Sequence, residues 1–125
     1  NHARALYAMT RLAKRQGTNQ PPGARYLIEC YYDRAIRFAP DDAMVRALYS
    51  NYLAERGRAT EARQQLAVAE ANAGSDGQVI YNLGLAYFEL KDYDKATEFA
   101  KKAQELGIQF TGLQQRLKRA GKWPG

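Results

Sequence analysis

Tyr81-Asn82-Leu83-Gly84-Leu85-Ala86-Tyr87, followed by Asp92-Tyr93-Asp94-Lys95-Ala96 and then Ala103, decides the architecture. Around it, Val79, Leu83, Ala86 and Leu90 step by four, three and four residues. Tyr93, Ala96, Ala100 and Ala103 step by three, four and three. Such spacing gathers apolar groups on one face of a helix. Lys91-Asp92 is a short polar break between the two runs, so the stretch predicts two helices joined by a tight turn.

Outward from this stretch the chain repeats itself every 34 residues. Ala35, Ala69 and Ala103 share a register, as do Ala62 with Ala96 and Glu55 with Glu89. Ile28 takes the place equivalent to Ala62 one unit earlier. Tyr32, Leu66 and Ala100 align, and so do Pro40, Gly74 and Ile108. Small residues at a fixed period mark sites where two helix backbones approach closely and a larger side chain would force them apart. Gly57-Arg58 breaks the preceding unit where Lys91-Asp92 breaks this one. Pro40-Asp41-Asp42 ends one helix and offers carboxylates to the free amides of the next. Ser75-Asp76-Gly77-Gln78 has the form of a capping box with Ser75 as N-cap. Asn72-Ala73-Gly74 and Leu106-Gly107 place Gly where a helix C-terminus takes a left-handed residue.

The stretch 81–103 resembles the tetratricopeptide repeat. Leu83-Gly84 matches the family's Leu-Gly pair, Tyr87 its first-helix aromatic, and Ala96 and Ala103 its two second-helix alanines. The preceding unit keeps Ala62, Leu66 and Ala69 but has Tyr49-Ser50 in place of Leu-Gly. The family's opening Trp is Ile80 in one unit and Arg46 in the other. The first unit keeps Tyr32, Ala35 and Pro40 of its second helix. Its first helix, near 3–16, is set apart by a longer linker, residues 17–23. The resemblance covers residues 3–110 and implies an all-α, α-α superhelix: a right-handed stack of three antiparallel helix pairs. The units are 3–42, 43–76 and 77–110, with a capping helix and tail at 111–125. Within 110–122, Leu113, Leu117 and Ala120 make a narrow apolar stripe, and Gln114, Gln115, Arg116, Lys118 and Arg119 cover the rest. A terminal helix with a wet outer face closes a stack of this kind.

Composition removes several function classes. Hydrophobic residues are 46% and charged residues 26%, ordinary globular usage that argues against bulk disorder. No apolar run is long enough to span a bilayer. The chain opens Asn1-His2-Ala3, which reads as a fragment, a processed product or a tagged chain, and it carries no export leader. Cytoplasmic and periplasmic settings both stay open. One cysteine, Cys30, leaves no internal disulfide and no cysteine-based zinc site, and mid-helix it reads as a buried or bland thiol. No metal motif, phosphate loop or nucleophile motif is present, so no catalytic residue, metal ligand or cofactor is expected. Asp41-Asp42 and Asp92/Asp94 read as capping and turn carboxylates.

The net charge is +6, and it is unevenly placed. Residues 111–125 carry four basic groups and no acidic ones, while residues 43–76 balance four against four. Arg4, Arg11 and Arg15 share a face of the first helix, with Lys14 beside it. A nucleic-acid binder usually gathers its charge on one continuous face. Two separate basic ends make RNA or anion binding the alternative expectation, and peripheral membrane association stays open.

The resemblance implies a non-catalytic protein-interaction scaffold whose first helices line a concave groove. Carried onto this chain, the groove is Met44, Leu48 and Asn51 in the second unit and Gln78, Tyr81, Asn82, Leu85, Phe88 and Glu89 in the third. Ala47 and Glu55 border it, and Leu6, Tyr7, Thr10 and Lys14 extend it into the first unit. Some family members hold a peptide carboxylate there with Lys, Arg and Asn. Asn51 and Asn82 supply amides, but the cations are missing and Glu55 and Glu89 oppose an anion. An apolar, aromatic groove with amide handles suits an extended or helical partner segment. Leu48, Leu85 and Phe88 equally fit a packing role. Arrays of this type are frequent in bacterial secretion, pilus and envelope-assembly systems, a setting the resemblance permits.

Overall fold

The structure is a computed structural model that describes residues 2–20 and 27–123. The described residues form seven helices and no strand. They are α1 (His2–Arg15), α2 (Ile28–Phe38), α3 (Ala43–Glu55), α4 (Ala59–Ala71), α5 (Gly77–Glu89), α6 (Tyr93–Glu105) and α7 (Gly112–Arg119). α1 with α2, α3 with α4 and α5 with α6 are the three pairs. The first helices also pack in series, α1 on α3, α3 on α5 and α5 on α7. The chain is therefore an all-α stack of three helix pairs closed by a short terminal helix. Part of the expected 17–23 linker lies outside the described residues.

Short-range chemistry starts and stops the helices. The Asp42 carboxylate accepts from the Val45 N–H at 3.1 Å and opens α3. Asp76 does the same for α5, accepting from Gln78 and Val79 at 3.0 and 3.3 Å. The N-cap is thus Asp76 rather than the expected Ser75: its carboxylate is one residue nearer the free amides and accepts two of them. Asp92 opens α6 through the Lys95 N–H. The turn inside the second unit passes through Gly57 at φ 78°, and the equivalent turn in the third unit uses Lys91 at φ 64°. A side chain in that region crowds its own carbonyl, which only glycine avoids.

Two apolar cores lie along the stack. The first joins Ala3, Leu6 and Ala13 of α1 to Ile28, Tyr32 and Ala35 of α2 and to one side of α3. Its centre is aromatic: Tyr32 stacks on Tyr49 at 4.7 Å with rings parallel to 1°, and Tyr52 joins both. The second core runs from Ala43 and Ala47 of α3 through Leu66 and Ala69 to α5, α6 and α7. Met44 and Leu90 pack against both.

The periodic small positions are where the helices touch. Ala62, Ala69, Ala96 and Ala100 have no exposed surface. At Gly84 an added Cβ would come 2.6 Å from Leu113 Cδ2 and 3.4 Å from Phe99 Cβ. Ser50, its counterpart in α3, is also fully buried and donates its hydroxyl to the Ala62 carbonyl at 2.9 Å. The hydrogen bond makes a buried hydroxyl acceptable where the family carries Gly. Arg46, in the place of the opening Trp, bonds the Pro40 carbonyl and Gln65.

The terminal helix is shorter than the expected 110–122 span, because Ala120 caps it and Gly121 turns left-handed at φ 72°. Leu113 and Leu117 are buried as expected, but Ala120 is exposed and Gln114 is buried in its stead. Of the two readings of Cys30, buried or bland, the structure shows an exposed thiol. No described helix is long and apolar enough to cross a membrane.

Candidate functional site

The inner faces of α3 and α5 carry the residues expected to line a groove, and the structure divides them into two groups. Leu48 is 7% exposed and belongs to the N-terminal core. Tyr81 is 8% exposed, and its hydroxyl accepts the Leu113 N–H at 3.0 Å. Its ring meets Phe110 edge-on at 5.4 Å. Thr111 makes no side-chain cap at the start of α7, so Tyr81 caps that helix from outside. Leu48 and Tyr81 therefore hold the scaffold together. Ala47, beside them, is fully buried.

The others remain at the surface to differing degrees. Met44, Leu85 and Phe88 are half-buried, each packed against the C-terminal core. Phe88 also meets Tyr93 edge-on at 5.4 Å. Gln78 is exposed. Asn82 donates from Nδ2 to the Gln78 carbonyl at 2.9 Å and lies 3.6 Å from the Met44 sulfur. Its amide is thus occupied by its own helix. Asn51 is half-buried, and its Oδ1 is enclosed without a hydrogen-bond partner. Met44, Asn51, Leu85 and Phe88, edged by Gln78 and Glu89, are what the inner face offers.

In the first unit, Leu6 is buried and Tyr7 is 46% exposed. The Thr10 hydroxyl donates to the Leu6 carbonyl and sits 3.0 Å from the Tyr32 hydroxyl. These contacts give Leu6 and Thr10 packing duties in the α1–α2 pair.

The charges differ from what sequence spacing suggests. Glu55 ends α3 and Glu89 ends α5, and each is met by a cation from a helix at the end of the stack. Lys14 of α1 lies 2.5 Å from Glu55, and Arg116 of α7 lies 3.6 Å from Glu89. The expected anion-repelling pair is therefore neutralised. Arg116 and Arg119, with Ala120, bound an open hollow of 420 Å³ whose other wall is Phe88 and Glu89. Both arginines are solvent-exposed, as the sequence pattern predicts, and they also border this hollow. The signal that placed them here was their i, i+3 spacing with Ala120 at i+4, a stripe separate from Leu113 and Leu117.

On the outer side, Arg58 bridges Glu29 of α2 and Glu61 of α4, tying the first pair to the second. That pairing, chiefly the hydrogen bond from Arg58, lowers the Glu61 pKa. Burial pushes the Tyr32 hydroxyl up to about 12 and, aided by Glu70, Tyr87 likewise. Burial and the hydrogen bond to Asp33 push Tyr49 upward too. These groups are phenols of the packed interior. Among the described residues no cluster of His, Cys, Asp or Glu is arranged to hold a metal ion.

Residues 78–107, which span most of α5 and all of α6, match the tetratricopeptide repeat family. No curated protein matches the chain. The matched unit contains Leu83-Gly84, Tyr87, Ala96 and Ala103 in the helix pair their spacing predicts, so the third helix pair, within 78–107, matches a tetratricopeptide repeat.

Proposed function

We propose that this chain is a non-catalytic adaptor that holds a peptide or helix of a partner protein along the inner faces of α3 and α5. Repeats of this family generally mediate protein–protein interaction. The observation that carries the proposal is the strip of Met44, Leu85 and Phe88. These apolar side chains stay only half covered on neighbouring helices while the residues behind them are buried. A partner that buries them gains apolar contact on a surface already rigid, so little ordering cost offsets the gain. Gln78 adds an exposed amide for the backbone of an extended or helical segment. The finer setting we propose is a bacterial secretion, pilus or envelope-assembly system, which rests on the family resemblance alone.

The test is a pull-down from source-organism lysate at moderate salt with nuclease present. Wild type is compared with a Leu85→Ala/Phe88→Ala variant whose helicity and melting are confirmed. Proteins kept by the wild type and lost by the variant support the groove. An unchanged set of captured proteins overturns it.

A further inference from the structure

The hollow between α5 and α7 gives the proposed groove a chemical preference. Its apolar wall is Phe88, half-buried and held edge-on by Tyr93. Its opposite wall is Arg116, Arg119 and Ala120, where the single methyl of Ala120 leaves room. Glu89 is the one carboxylate lining the hollow, and Arg116 already meets it at 3.6 Å, a loose contact between half-exposed groups. Arg119 has no ion-pair or hydrogen-bond partner among the described residues. The hollow therefore holds two guanidinium groups against one carboxylate, with an apolar surface facing them. A planar guanidinium fork matches a second carboxylate in two parallel hydrogen bonds.

We propose that this hollow receives an acidic side chain of the partner segment, next to an aliphatic or aromatic side chain that packs on Phe88. The proposal rests on the groove being a peptide site and names the partner's chemistry: an acidic, apolar peptide. Charge placement supports it further. α7 carries three cations and no acid, so an approaching acidic segment meets no opposing carboxylate from the cap itself. The repelling Glu55 and Glu89 are each already neutralised by Lys14 and Arg116. The partner carboxylate is supplied to Arg119, and Arg116 is shared with Glu89.

The test selects binders from a random phage-displayed peptide library, with the full chain as bait. The expected sequences pair Asp or Glu with Leu, Ile, Phe or Trp. Synthetic copies of the selected peptides are then titrated against variants. Arg119→Glu is expected to weaken them about tenfold or more, the size of one lost charge-assisted bond with repulsion added. Lys118→Glu makes the same charge change on the same helix outside the hollow and is expected to leave them nearly unchanged. Equal losses in both variants point to diffuse electrostatics and overturn the proposal. Peptides that respond to Leu85→Ala but ignore Arg119→Glu, or selected sequences without acidic residues, leave the groove standing and overturn the hollow. Peptides that ignore both substitutions, or no binders at all, overturn both. Displacement of the peptides by single-stranded RNA with tighter, Arg119-dependent binding assigns the hollow to phosphate and also overturns it.

Discussion

Gly84 and Leu113 face each other across the α5–α7 contact so closely that a Cβ on the first would lie 2.6 Å from a methyl of the second. Gly84→Ala therefore sets two effects against each other. Helix propensity favours alanine by about 1 kcal/mol. Overpacking a full interior costs about 1–3 kcal/mol, and Leu113 has no exposed surface into which to retreat. The expected outcome is a net loss, read by urea denaturation. Leu113→Ala in the same chain should remove most of the clash, so the two substitutions should be strongly non-additive.

Lys91 sits at φ 64° where the equivalent turn has Gly57. Lys91→Gly should raise stability by about 1 kcal/mol, the left-handed cost for a side chain less the extra freedom of glycine in the unfolded chain. Lys91 is exposed, so no packing is lost. A lowered melting temperature would contradict this account.

Tyr81→Phe removes the acceptor that holds the Leu113 N–H. A buried donor left unpaired costs about 1–3 kcal/mol. The loss should be local. Amide exchange should quicken at Leu113 and along α7 while α3 and α4 keep their protection.

Leu48→Ala and Leu85→Ala are the same chemical change at nearby helix positions with different expected consequences. Leu48 is core, and truncating it should cost about 2–5 kcal/mol. Leu85 is half covered, so its truncation should cost less stability and should weaken partner binding instead. A thermal melt and a binding titration on each variant separate the two roles.

The tyrosines set an alkaline limit. In the unfolded chain they lose their protons near pH 10, whereas burial holds the Tyr32 and Tyr87 protons to about 12 in the folded chain. The folded state binds more protons through that interval. Stability is therefore intact below about pH 10 and falls as pH rises toward 12. A chain whose tyrosinate absorbance rose fully before it unfolded would refute this. Tyr49→Phe should make the decline shallower, since Tyr49 shifts in the same direction.

The repeat was legible because close helix contact tolerates few residue types. Ala62, Ala69, Ala96, Ala103 and Gly84 are spaced by that constraint, and it places the helix pairs and their turns within a residue or two. The inner face was less legible. Tyr81 and Leu85 have similar helical phase, and what separates them is α7, which covers one and not the other. Gln114 and Ala120 exchanged places for the same reason, since an eight-residue helix offers too few turns to fix its own phase. Arg116 and Arg119 are exposed, as the pattern predicts, but a one-dimensional pattern does not show that Phe88 and Glu89 lie beside them.

The two cores meet only through the α3–α4 pair and the shared flanks of Met44 and Leu90. Such an arrangement lets the chain come apart in stages from its ends. The first pair is sewn on by the tyrosine stack and by the Arg58 bridge, both where it meets the second pair. A pull on the N-terminus loads that seam directly, whereas the C-terminal pair carries the longer apolar core. Stretched between its termini, the molecule should yield first at α1 and α2, leaving the proposed strip of α3 and α5 assembled on the part that still holds.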